Sequence, residues 1–240
     1  ILGNGKIRVI AFSMTQTPFL SDSGDVVKIK VVVNAASGVF PVTLSDVIIS
    51  NTSNQNIASG STNGNVSISQ LLNLTVYPAG LYNGSTMISD GITVELHNST
   101  TPFALVELMV DTVNTSGTSG VCFTAARKWN SYYIVVKHRN SIETWSSAPL
   151  LFYNTVSEYD FSTAQNKAYG NNLMLVGTKW CMISGDINQD GYVDANDRSL
   201  VWNDRNKSGY LSSDVNGDGV VDALDRSICW NNRNKGVVRP

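Results

Sequence analysis

Charge is scarce in this chain: 17 Lys and Arg stand against 19 Asp and Glu in 240 residues, a charged fraction of 15% and a formal net charge of −2. With no Lys/Arg cluster to override that balance, a nucleic-acid footprint is not expected. No apolar run approaches the roughly 18–20 residues needed to cross a bilayer. The 3 cysteines, Cys122, Cys181 and Cys229, leave at least one unpaired, so disulfides do not organise the fold. Buried free thiols are expected, with one bridge as the alternative. The 2 histidines, His97 and His138, fall at strand ends beside polar residues and read as surface or turn residues. There is no Gly-x-Ser-x-Gly elbow, no zinc-protease helix and no phosphate-cradling loop. Glu95 and Glu143 are acidic candidates, but nothing in their spacing supports a glycosidase pair about 5–9 Å apart. The chain is expected not to be an enzyme.

What fills the chain instead is Ser, Thr, Asn and Gly between short Val/Ile-rich runs, with 42% apolar residues overall. That texture suits β-sandwiches with polar loops. Residues 1–70 read as strands at Lys6–Ser13, Val26–Val33, Phe40–Ser50 and Asn65–Ser69, separated by turn clusters such as Ser21-Asp22-Ser23-Gly24-Asp25. Residues 71–183 restart the pattern. Strands are expected at Leu71–Tyr77, Ile92–Leu96, Ala104–Met109, Val121–Ala125, Tyr132–Lys137, Leu150–Tyr153, Tyr159–Ser162 and Asn172–Val176. The segment Tyr132–Trp145 reads as a central strand and its loop. Trp129 and Trp145 are candidates for a sugar-stacking platform, although a tryptophan on a sandwich is more often core or interface. The expected fold is mainly β: two sandwich-type modules, 1–70 and 71–183, followed by a small α-helical paired calcium-loop module, 184–240. Asn-x-Ser/Thr sequons beginning at Asn51, Asn65, Asn73, Asn83, Asn98, Asn114 and Asn206 weakly favour a secreted protein. The start at Ile1 rather than Met suggests a processed product or an excised piece.

Beyond Ser184 the chain repeats itself. Asp186–Lys207 aligns without gaps on Asp214–Lys235, 28 residues later, with 15 of 22 positions identical. Each copy opens with oxygen-bearing residues at loop positions 1, 3, 5, 9 and 12: Asp186, Asn188, Asp190, Asp194 and Asp197, then Asp214, Asn216, Asp218, Asp222 and Asp225. Position 7 adds a backbone carbonyl, from Tyr192 and Val220. Position 6 is glycine, Gly191 and Gly219, which permits the sharp turn that aims the ligands at one point. Calcium is a hard cation that takes six to eight oxygens near ~2.4 Å, and this spacing supplies them. The two loops hold 8 of the 19 acidic residues. Four converging carboxylates repel without a cation, so two Ca2+ are expected, with binding coupled to folding.

The tandem calcium loop–helix pattern resembles a dockerin over residues 184–237, which implies docking on a cohesin. Dockerins carry partner contacts at loop positions 10 and 11, often a Ser/Thr pair. Here those positions are Ala195 and Asn196, then Ala223 and Leu224. Basic residues expected further along each helix are replaced by Trp202-Asn203 and Trp230-Asn231. Calcium ligation therefore transfers, but the usual cohesin specificity does not. Trp202 and Trp230 are either partner anchors or core aromatics of their helices. Upstream, Asp25–Asn34, Gly38–Ser50 and Gly64–Ile68 resemble the final strands of a cohesin sandwich at about half its length, and residues 71–181 resemble immunoglobulin-like or transthyretin-like modules. Together these resemblances imply a secreted or cell-surface assembly protein whose dockerin-like end docks on a cohesin-like module. The next copy of the same chain is a candidate supplier of that module, which would build a head-to-tail filament. The alternatives are a dockerin-bearing tail tethering a larger secreted protein, or a carbohydrate-binding module.

Overall fold

The computed structural model describes residues 38–43 and 64–240. The expected strands Lys6–Ser13 and Val26–Val33, and most of the segment resembling half a cohesin, lie outside the described residues. The chain divides into two compact units, residues 1–35 with 39–67 and residues 36–38 with 68–240. In the first, β1 (Gly38–Val42) and β2 (Gly64–Ile68) form a two-stranded sheet.

The second unit is built on two sheets. Its strands are β3 (Gln70–Thr75), β4 (Asp90–Asn98), β5 (Leu105–Val113), β6 (Thr118–Phe123), β7 (Asn130–His138), β8 (Ser141–Trp145), β9 (Leu150–Phe152) and β10 (Val156–Asp160). One sheet has the order β10-β3-β6, and the other β5-β4-β7-β8 with β9 also on β7. Side chains alternate across the pleat, so every second residue of β3 and β6 points inward. Leu72, Leu74, Val121 and Phe123 from the first sheet share one core with Val94, Leu96, Ile134 and Val136 from the second. Strand β7 is central and buried on both faces, because Tyr133 and Val135 pack outward against Trp145, Phe103 and Tyr169. The sequence reading of Tyr132–Trp145 as one strand and its loop is corrected here. It forms two antiparallel strands, β7 and β8, joined by a turn at Arg139–Asn140. Trp145 is only 5% exposed, which removes it from any sugar-stacking surface.

Two further short strands, β11 (Met174–Val176) and β12 (Lys179–Cys181), lead into the C-terminal module. That module contains β13 (Tyr192–Val193), α1 (Ala195–Asp204), α2 (Ala223–Asn231) and β14 (Lys235–Gly236), with β13 and β14 pairing to close it. Its core is Ile183, Ile187, Val193, Val201, Val215, Val221 and Cys229, joined by Ile142 from β8 of the sandwich. Val201 and Cys229 thus bring both helices to one core, as the repeat implied, while Leu200 stays on the surface. All three cysteines are free; Cys181 and Cys229 are buried, but Cys122 on β6 is exposed rather than buried.

The turn between β7 and β8 is where sandwich and module meet. His138 is buried instead of lying at the surface, because it bridges Asp90 at 3.2 Å and Ser141 at 3.1 Å. Burial pushes the Asp90 carboxyl up, but the groups donating to it (His138, Tyr210 and Arg139) outweigh that and hold it well below the usual carboxylate range. Burial holds the His138 imidazole below its ordinary value, more strongly than its hydrogen bond to Asp90 raises it. Both groups therefore bind fewer protons folded than unfolded. Their contribution to stability is present at neutral pH and is lost as pH falls, first below ~6.5 for the imidazole and then below ~4 for the carboxyl. Thermal melts between about pH 7 and 3 should show this loss, at up to ~1.4 kcal/mol per pH unit for each proton taken up. His138→Gln should flatten the upper part of the profile, and an unchanged profile in that variant would refute the assignment.

Candidate calcium sites and docking face

Both loops fold by the same local rules. Asp194 and Asp222 are the N-caps of α1 and α2, accepting from Asn196 N and Leu224 N. Asp197 and Asp225 complete reciprocal capping boxes, their Oδ2 atoms accepting from Asp194 N and Asp222 N at 2.8 Å each. The Oδ1 atoms of Asp197 and Asp225 reach back across the loop to the amides of Ile187 and Asn188, and of Val215 and Asn216. Position 12 therefore ties the loop entrance to the helix start. Gly191 and Gly219 adopt φ of 91° and 89°, the left-handed turn expected at position 6, and donate to Asp186 Oδ2 and Asp214 Oδ2. Asn188 and Asp190 bond each other, as do Asn216 and Asp218.

Among the described residues, no three His, Cys, Asp or Glu side chains converge as they stand on a point that could hold a metal ion. The carboxylates are turned onto backbone amides instead. The first loop nonetheless carries the mark of a cation site. Asp186 is 2% exposed, and its Oδ1 is a buried oxygen with no hydrogen-bond partner. Burial, with the charges of Asp197 and Asp190, pushes its carboxyl up to about 7. A buried carboxylate with a free oxygen is costly unless a cation answers it. Burial, reinforced by the neighbouring carboxylate Asp214, also raises Asp225. Asp186, Asn188, Asp190, the Tyr192 carbonyl, Asp194 and Asp197 fit a hard divalent ion by chemistry and order, and Asp214, Asn216, Asp218, the Val220 carbonyl, Asp222 and Asp225 repeat the set. Such an ion would supply positive charge that lets these carboxylates share one small volume.

The loops differ at position 4. Gly217 donates to Asp214 Oδ1 at 2.8 Å, so both oxygens of that carboxylate are satisfied. In the first loop the equivalent is Gln189, held at φ 58°, whose amide nitrogen turns away to the carbonyls of Asp186 and Ser141.

Residues 184–234 match the family model of the dockerin type I domain. The C-terminal segment is a dockerin domain. Domains of this type bind calcium, in keeping with the two loops. No curated protein matches the sequence. Among solved structures, an N-terminal interface mutant of a type II cohesin–X–dockerin complex from Acetivibrio cellulolyticus is 16% identical, with a TM-score of 0.44, over 70% of this chain and 97% of that one. A C-terminal interface mutant of the same complex is 15% identical, with a TM-score of 0.43 and the same coverage.

The dockerin's two faces have different fates. One is sealed against the sandwich. Gly80 packs so closely on Val215 that a methyl there would run into its carbonyl oxygen, and Gly80 N donates to Ser184 Oγ. The other face is open. Ala195, Asn196, Ala223 and Leu224 are all exposed, and Trp202 and Trp230 are 51% and 49% exposed, so neither tryptophan is a core aromatic.

The acidic candidates elsewhere are accounted for by pairing. Glu95 on β4 and Glu143 on β8 lie on either side of β7, whose Lys137 bridges them at 2.8 and 3.4 Å. His97 and Arg239 complete the network, each 2.8 Å from one of the carboxylates. What sequence reasoning missed is the part played by Arg139, Asn140 and Ile142, which hold the dockerin from 40 to 75 residues away.

Proposed function

We propose that this chain is an extracellular, calcium-dependent assembly protein without catalytic activity, whose dockerin docks on a cohesin-like module. The observation that carries this reading is the pair of duplicated loop–helix units, sealed on one side and presenting exposed Trp and Leu residues on the other. A module anchored by its back and bare on its front suits a docking role. No described helix is long and apolar enough to cross a membrane. Two calcium ions, one per loop, would set the helices in place. Because residues 1–70 resemble part of a cohesin, another copy of the chain can be the partner. A heterologous contact between unlike ends propagates into an open filament unless rotation closes a ring.

Light scattering and electron microscopy of the purified chain, in millimolar calcium and in chelator, test the assembly. Calcium-dependent growth in mass and visible filaments are expected. A chain that stays monomeric at high concentration, yet binds a cohesin supplied from outside, leaves docking intact and replaces the filament with a tether for a larger protein.

A further inference from the structure

The open face of the dockerin has an unusual composition for a chain of net charge −2. Each exposed indole lies between two guanidinium groups. Trp202 is flanked by Arg205 at 4.5 Å and, from the other helix, Arg226 at 5.1 Å. Trp230 is flanked by Arg233 at 4.2 Å and, from the other helix, Arg198 at 4.6 Å. The arrangement is reciprocal, each helix lending one arginine to its neighbour's tryptophan. Arg198, Arg226 and Trp230 also line a groove between the helices with Ala223 and Ser227. Among the described residues, none of these four arginines forms a salt bridge, whereas Arg139 and Arg239 both do.

Arg205 and Arg233 each spend one Nη1 on a carbonyl of their own helix, that of Trp202 and of Trp230. A guanidinium placed over an indole from the facing helix, as those of Arg198 and Arg226 are, can still turn its N–H groups to a carboxylate and grip it with two parallel bonds. We infer that this face recognises a folded protein surface bearing clustered carboxylates around a shallow apolar patch; this rests on the docking reading above. The half-exposed indoles of Trp202 and Trp230, with Ala223 in the groove, supply the apolar share. The choice of a compact acidic partner over an extended polyanion follows from the surroundings. The cationic patch lies on helices whose N-terminal ends carry the acidic loops, where Asp190, Asp218 and Asp222 are exposed. A long polyanion running off the patch would meet that negative charge, whereas a compact acidic patch meets only the arginines.

The test uses the full chain in millimolar calcium, with purified cohesin modules whose docking faces differ in their number of carboxylates, and with heparin and duplex DNA as polyanions. Binding should strengthen with carboxylate number and weaken steeply as salt rises. Arg198→Gln with Arg226→Gln should weaken it by about tenfold or more, while calcium stoichiometry stays unchanged and shows that the fold is kept. Arg198→Lys with Arg226→Lys should lose less than the glutamine pair, since charge is kept without the planar fork. If cohesins bind but neither salt nor the glutamine variants matter, the acidic-surface inference fails and docking stands. If no cohesin binds, both fail. Heparin or DNA binding as tightly as the most acidic cohesin also overturns it.

Discussion

Chelating calcium from the full chain is expected to abolish the helical circular dichroism of the dockerin while the strand signal of the sandwich survives. The sandwich keeps its own core of Leu72, Val94, Phe123, Ile134 and their neighbours, which involves no calcium loop. The dockerin core is much smaller, and both of its helices begin at loop carboxylates. An ion that binds only the folded form stabilises it by about 2.7 kcal/mol at a hundredfold excess over Kd and by about 4 kcal/mol at a thousandfold excess. Two such sites exceed what so small a module can lose and remain folded. Asp186→Ala and Asp214→Ala should each lower calcium uptake from two ions to one. Compared at the same calcium concentration, the second should cost more stability, because the Asp214 carboxylate accepts from the amides of Gly217 and Gly219, whereas that of Asp186 accepts from Gly191. Calorimetry showing no calcium uptake, or a spectrum unchanged by chelator, would reduce both loops to solvated Asx turns.

The loops were legible because everything that makes them is local. Ligand spacing, the glycine at position 6 and the duplication lie within 50 residues, and a repeated pattern is its own control. The capping box that Asp194 and Asp197 form, on top of their place as candidate ligands, was implicit in the same letters. Most strands of the sandwich were legible, through β-branched alternation between turn clusters, although β12 (Lys179–Cys181) was not expected. Strand β8 was not, because Ser141–Trp145 carries Glu143 and Thr144 amid its apolar residues and reads as a polar loop. Its inward position is decided by partners: Ile142 enters the dockerin core, and Trp145 covers the outer face of β7. His138 was misplaced for the same reason, since only the fold brings Asp90, 48 residues away, to its ring. The arginines beside the tryptophans could be read as neighbours on their own helices. Their exchange between helices required the packing of α1 on α2.

Arg139→Ala is expected to loosen the dockerin from the sandwich and to weaken the second calcium site more than the first. The guanidinium of Arg139 sits at a junction. Its Nε donates to Asp90 Oδ2 at 2.8 Å, and its Nη1 donates to the Asp214 carbonyl at 2.9 Å and to that of Leu211. Its plane lies over Tyr210, whose hydroxyl donates to Asp90 at 2.5 Å. The neighbouring Asn140 donates to the carbonyls of Ser212 and Asp214, at 3.3 and 3.1 Å, and its own carbonyl accepts from Gly185. Two side chains of one sandwich turn thus fix the backbone at position 1 of the second loop. Among the described residues, no side chain of that turn holds the first loop; its ties are to the turn's backbone, Gln189 to the Ser141 carbonyl at 3.3 Å and, just ahead of the loop, Gly185 to the Asn140 carbonyl. Truncating Arg139 leaves Asp90 buried with one cationic partner removed, at a cost on the order of 3 kcal/mol. For a unit of this size that corresponds to a fall of roughly 6–12 °C in Tm. Ile142→Ala removes a fully buried side chain from the shared core and should cost about 2–5 kcal/mol without touching either loop directly. Comparing the two variants separates general loosening from loop positioning. Both should lower Tm, but only Arg139→Ala should selectively weaken the calcium step that Asp214→Ala abolishes. Equal loss at both sites in Arg139→Ala would mean that the turn is an anchor for the module as a whole and not a support for its second loop.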